Sequence, residues 1–177
     1  MKKIAVFGKS GGGKSVFSKK LSLATDIPLF PLDLIEYSKG GEKVSKDEYL
    51  QKYHDILNTE FWIIEGFGTM ETFIKRLQEA DTLIYINLPM RIHYWRVTKR
   101  LLLSPFIKPE GWPDKSPMIR STYNCYVHLF GVAPKFWNAN FLKRLESMSQ
   151  EKTVHHLSST KELNKFIEQS MQPEAKK

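Results

Sequence analysis

The sequence predicts an α/β fold, doubly wound about a parallel sheet, and three observations carry that prediction. Short, unbroken apolar runs alternate with stretches of helical periodicity. The connections between them are brief, as βαβ units require. The first run, Lys3-Ile4-Ala5-Val6-Phe7, passes directly into Gly8-Lys9-Ser10-Gly11-Gly12-Gly13-Lys14-Ser15, and that stretch passes directly into a helix.

The glycine stretch fits the phosphate-loop pattern, Gly, four residues, Gly-Lys-Ser, at every required position. Its glycines let consecutive backbone N–H groups turn inward on a polyphosphate, and the helix N-terminus adds partial positive charge. Lys14 is placed to reach the β- and γ-phosphates, and the Ser15 hydroxyl to ligate Mg²⁺. The expectation is a nucleoside triphosphate site built from residues 8–15 and the next residue, Val16. In the helix that follows, Phe17, Leu21 and Ala24 share one face.

Ile27-Pro28-Leu29-Phe30-Pro31-Leu32 is a short extended stretch ending at Asp33. Ligands of open parallel sheets collect beyond the carboxyl ends of strands, so Asp33 is expected beside the phosphate loop. A carboxylate there can orient an acceptor hydroxyl or hold a Mg²⁺-bound water; it also suits a turn or helix cap. Residues 36–46, with Gly40-Gly41 and many charges, suggest a mobile surface loop. Ser45 and Glu48 have capping-box spacing and open a helix with Tyr49, Leu50, Tyr53, Ile56 and Leu57 on its apolar side. Phe61-Trp62-Ile63-Ile64 has the continuous apolarity of a strand buried on both faces. It ends in Glu65-Gly66, the Walker B arrangement, where the carboxylate holds Mg²⁺, usually through water.

Met70, Phe73, Ile74 and Leu77 mark another helix, and Thr82-Leu83-Ile84-Tyr85-Ile86-Asn87-Leu88 another buried strand. Pro89 then suits the first turn of the next helix. The last elements are a helix ending at Phe141-Leu142-Lys143-Arg144-Leu145, a fifth strand at Lys152-Thr153-Val154-His155-His156-Leu157, and a helix containing Leu163, Phe166 and Ile167. His155 and His156 point to opposite faces of a strand, so they do not share a metal. Ser158-Ser159-Thr160 caps the last helix, in a turn that can border an adenine ring.

The net charge of +8 is concentrated in one place. Residues 1–90 carry 12 Lys/Arg and 12 Asp/Glu, and residues 145–177 carry 5 of each. Residues 91–144 carry 10 against 2, so that segment is expected to face an anion, either triphosphate or nucleic acid. Arg96 and Arg100 share a helix face, with Lys99 beside them. Four prolines in residues 104–117 exclude regular structure there, and the region of about 104–145 is read as a lid or helical insertion. The rings of Tyr123, Tyr126, Phe130, Phe136 and Trp137, interleaved with Arg120, His128 and Lys135, either pack a small helical lobe or stack bases.

At 177 residues the chain has the size of one domain. It contains no apolar run of the roughly 18–20 residues that a membrane span requires. The opening residues form a strand, which argues against a signal or transit peptide. Cys125, the only cysteine, suits a reducing cytoplasm and a structural thiol.

With these pieces in order, the chain resembles the adenylate kinase-like P-loop kinases, and within them the FlaR-type topology-modulation group. The resemblance rests on residues 8–15, Leu32-Asp33, Trp62-Ile63-Ile64-Glu65-Gly66, Ala80-Asp81-Thr82 leading to Leu88-Pro89, and Trp95-Arg96-Val97 with Arg100. It implies a three-layer α/β/α P-loop NTPase domain over residues 1–177, with five parallel strands in the order 2-3-1-4-5. It also implies ATP with Mg²⁺ and phosphoryl transfer to a small acceptor. Lys14, Asp33 and Arg100 would be the catalytic group, Ser15 and Glu65 the metal ligands, and Arg96 and Arg100 the grip on the phosphates.

The chain departs from nucleoside monophosphate kinases, which clamp the acceptor phosphate with arginines. Residues 26–60 contain no arginine, and in Glu65-Gly66-Phe67-Gly68-Thr69 a threonine stands where the family has one. Lysine supplies charge without arginine's bidentate fork, which favours an uncharged hydroxyl acceptor or ATP binding without fast transfer. Two other classes stay open: a nucleic-acid-binding or regulatory ATPase acting through residues 91–144, and an ATP-liganded interaction protein without chemistry.

Overall fold

The computed structural model describes residues 1–103 and 118–171. The proline-rich stretch 104–117, expected as part of a lid, lies outside the described residues, as do the final six. Strand β1 (Lys3–Gly8) runs through the centre of a five-stranded parallel sheet. It is flanked by β3 (Trp62–Glu65) and β4 (Thr82–Ile86), with β2 (Leu29–Pro31) and β5 (Thr153–Leu157) at the edges. The order is β2-β3-β1-β4-β5, as expected.

Side chains alternate along β1, and the two faces build two cores. Ile4 and Val6 pack with Phe17 and Leu21 of α1 (Lys14–Thr25) and with Leu163 and Ile167 of α9 (Thr160–Met171). Ala5 and Phe7 face the other layer. There they join Tyr53 of α3 (Lys46–Leu57), Phe73 and Leu77 of α4 (Met70–Glu79), and Val97 of α5 (Met90–Leu103). Helices on both faces are why the central strands are uninterrupted apolar runs.

Two expectations need correction. The extended stretch 27–32 forms only the three-residue β2, because Leu32 already begins a short helix, α2 (Leu32–Glu36). Residues 36–46 form the expected surface connection, tied by a Tyr37–Lys43 bridge and by Val44 N–H donating to the Glu36 carbonyl.

The aromatic run after residue 122 does not close on itself as a small lobe. Helix α6 (Met118–Val127) passes into a π-helical turn, His128–Val132, then α7 (Ala133–Phe136) and α8 (Ala139–Met148). Leu129, Ala133 and Trp137 are buried in the sheet's own core. Trp137 stacks on Tyr85 with ring centroids 5.3 Å apart and on Phe7 at 6.1 Å. No described helix is long and apolar enough to cross a membrane.

Candidate functional site

The phosphate loop leaves the sheet where β1 has no space for a side chain. A Cβ on Gly8 would lie 2.1 Å from the Ile86 carbonyl oxygen, and its φ of +143° suits glycine alone. The loop ends at Gly13, left-handed at φ +86°, which caps α1. The first N–H groups of α1 have no acceptor within the helix and are free for an anion.

Helix α5 braces the outside of this loop. Arg96 Nη1 donates to the Gly12 carbonyl at 3.0 Å, and His93 Nδ1 donates to the Ser10 carbonyl at 2.8 Å. His93 is fully buried, and burial lowers its pKa, so the ring stays neutral. These bonds engage loop carbonyls, leaving neighbouring N–H groups to serve a ligand.

A cavity of about 350 Å³ opens over the loop. Its lining gathers Ser10, Gly11, Gly13, Lys14, Ser15 and Val16 from the loop, Asp33 from α2, Glu65 from the end of β3, and Arg96 and Arg100 from α5. Lys14 Nζ donates to the Lys9 carbonyl at 3.2 Å. Burial raises the Asp33 pKa to about 6, and nearby Glu65 adds to the rise while Lys14 and Arg100 oppose it.

The donor set suits Mg²⁺ accompanied by a nucleotide. Ser15 supplies one hydroxyl and Glu65 one carboxylate, and no cluster of three His, Cys, Asp or Glu side chains able to encage a metal occurs among the described residues. Mg²⁺ characteristically takes one or two carboxylates and leaves its other positions to water and substrate phosphates.

Lys9, expected at the nucleotide, contributes its backbone to the loop while its side chain turns elsewhere. Its Nζ donates to Asn87 Oδ1 at 2.5 Å, and burial lowers its pKa. Asn87 in turn contacts His156 Nε2 at 3.2 Å, and the His156 ring stacks on Tyr85. The Ser158 turn expected near adenine is engaged by Glu162, whose carboxylate accepts from the Ser158 N–H at 2.8 Å.

A second cavity, about 570 Å³, shares Ser10, Lys14, Asp33, Glu65 and Cys125 with the first. Its remaining walls include the α2 end and following turn (Glu36, Tyr37, Lys43), the loop after β3 (Gly66, Phe67, Gly68), and Asn124, His128 and Trp137. Lys43 is paired with Glu36 at 2.6 Å.

Sequence reasoning missed Arg76, a fully buried residue on α4. Its Nη2 donates to the Gly66 carbonyl at 2.8 Å and reaches Phe67 at 3.4 Å, bracing the loop that follows Glu65. Burial lowers its pKa. The available signal was an arginine three residues after Phe73 and beside Leu77, on the apolar stripe. Thr69, standing where the resembled family has an arginine, is the N-cap of α4 in a reciprocal pair with Thr72.

No family model matches the chain, and no curated protein sequence does. Solved structures do match its fold. A provisionally assigned kinase from Chloroflexus aurantiacus J-10-fl is 15% identical, with 94% of each chain covered and a TM-score of 0.56. A shikimate kinase from Acinetobacter baumannii, in complex with shikimate, is 13% identical over 96% of this chain and 90% of that one, with a TM-score of 0.51. Both likenesses are to kinases, and at these identities what they share with this chain is the fold.

Proposed function

We propose that the chain is an ATP-dependent phosphotransferase acting on a hydroxyl of a small acceptor. The observation that supports this best is the shared border of the two cavities: Lys14, Asp33 and Glu65 lie between a phosphate-binding loop and a second, open compartment. Phosphoryl transfer needs a donor, an acceptor and charge-neutralising groups along one line. The acceptor oxygen forms a bond to the γ-phosphorus. The bond from that phosphorus to the bridging oxygen breaks, and ADP leaves with the electron pair. Asp33, titrating near 6, takes the hydroxyl proton at neutral pH. Lys14 and Arg100 offset charge on the transferring group, and the loop N–H groups hold the β-phosphate. Ser15 and Glu65 would hold Mg²⁺, which supplies further neutralisation of phosphate charge when bound.

In this reading residues 1–177 form one P-loop domain of the adenylate kinase-like, FlaR-type kind, with about 104–145 as a lid or helical insertion. The enzyme works in the cytoplasm. The test is ADP release from Mg-ATP across nucleosides, nucleoside monophosphates and small hydroxyl metabolites, with Lys14→Ala as control. Stimulation by one compound class, abolished in a folded Lys14→Ala protein, is the expected result. Unchanged turnover in that variant would overturn the assignment.

One observation favours a second reading, an ATPase that binds nucleic acid. Arg91, Trp95 and Lys99 lie four apart on the exposed side of α5, Trp95 being 67% exposed, and the described residues of 90–144 include no Asp or Glu. A single strand could stack there, with binding that weakens steeply as salt rises. Affinity for an oligonucleotide that does not change between low salt and 200 mM would exclude it.

A further inference from the structure

Resting on the phosphotransferase reading, we propose that Asn124 and His128 form the acceptor-reading wall and that the acceptor is an uncharged compound carrying several hydroxyls. Both residues line the compartment that Asp33 and Glu65 border. They are four apart, so they share one side of the helix as it passes from α6 into the π-helical turn. A π-turn widens the helix and re-aims its side chains, and such turns recur at functional sites. This one is anchored from behind, because Leu129 and Ala133 are fully buried in the main core. His128 is left on the cavity side, its ring 6.5 Å from that of Phe67.

The chemistry of the two side chains suits hydroxyls. Neither makes a hydrogen bond with another described residue. Burial lowers the His128 pKa first, and the Lys14 ammonium lowers it further, so the imidazole is neutral at pH 7. A neutral imidazole offers one donor and one acceptor, and the asparagine amide offers both kinds as well. Together they can bind groups that donate and accept at once, which describes an alcohol.

The charges around the compartment argue against an anionic acceptor. Three lysines line it. Lys14 serves the transferring phosphate, Lys43 is ion-paired with Glu36, and Lys9, though still charged, has its ammonium held by the Asn87 amide. No arginine lines it among the described residues, so the bidentate fork that grips a phosphate or carboxylate is missing there, and such a group would meet the Asp33 carboxylate. An uncharged polyol avoids that repulsion and gives Asp33 a hydroxyl to deprotonate.

The experiment measures ADP release with uncharged sugars, polyols and nucleosides, each beside its phosphorylated or carboxylated counterpart. Titration calorimetry of the same compounds runs in parallel without ATP. Uncharged members should stimulate turnover and their anionic counterparts should not. Asn124→Ala and His128→Ala should each raise the acceptor KM about tenfold, the loss of roughly one hydrogen bond. The KM for Mg-ATP should stay within about twofold, which a merely structural defect would not spare. His128→Gln, which keeps a donor and an acceptor, should recover much of the loss. Preference for anionic acceptors, or an effect confined to the Mg-ATP KM, would overturn the proposal while leaving the phosphotransferase reading in place. A panel with neither stimulation nor acceptor binding would overturn both.

Discussion

Asp33 sits in the first turn of α2, where burial and the neighbouring Glu65 raise its pKa from 3.8 to about 6. Because the folded value lies above the unfolded one, this group's contribution to stability is fully present below pH 3.8. That contribution is lost as pH rises through about 6. Asp33→Asn should therefore melt higher than the parent at pH 8, with the difference disappearing below pH 4; equal melting curves at pH 8 would contradict this. The same titration predicts that kcat/KM for the acceptor rises with pH through about 6 and that Asp33→Asn is slow without that limb. Gly8 makes a separate, steric prediction. A Cβ there would overlap the Ile86 carbonyl, so Gly8→Ala should cost about 4 kcal/mol or more, visible as loss of the cooperative melt by circular dichroism. The asparagine and glycine variants separate chemistry at the site from the backbone geometry that supports it.

At the scale of elements, α4 and α5 shape the site from outside it. Thr69 and Thr72 cap α4 reciprocally, and Arg76, seven residues along from the cap, holds the Gly66 and Phe67 carbonyls. Thr69→Ala should cost about 1 kcal/mol in urea denaturation. A wild-type midpoint would show that the cap carries no weight. The apolar stripe of α4 was legible from its period. The cap pair was not, because two threonines do not match the usual Ser/Thr with Glu/Gln three residues later. Helix α5 acts through Arg96, whose bond to Gly12 steadies the loop. Arg96→Ala should raise the KM for Mg-ATP more than the KM for acceptor, and the reverse order would remove it from the nucleotide side.

Across the whole molecule, the packing joins residues 118–148 to the sheet. Trp137, between α7 and α8, lies among Phe7, Phe73, Tyr85 and Phe141, side chains drawn from two strands and two helices. Trp137→Ala should destabilise the protein by about 3–5 kcal/mol. Unfolding of the parent should appear as one transition by far- and near-ultraviolet circular dichroism together. Two separated transitions would mean that residues 118–148 fold as a unit of their own.

The sequence by itself determined the phosphate loop, the alternation of buried strands with amphipathic helices, and the acidic residue at the end of β3. Each of these is a local pattern, written in spacings of two to eight residues. Asp33 was also legible, because strand ends and ligand sites coincide in parallel sheets. Only the tertiary structure decided which side chains meet across the sheet. Lys9 reaches Asn87 over a separation of 78 residues, His93 braces Ser10 over 83, and Arg96 holds Gly12 over 84. His128 gave little sign of a role in the sequence, and it lines the same compartment as Asp33 and Glu65 because a π-turn anchored by the buried Leu129 carries it there. Periodicity reports the face a residue takes on its own element. Which element lies opposite depends on how the two cores close, and that is a property of the packed whole.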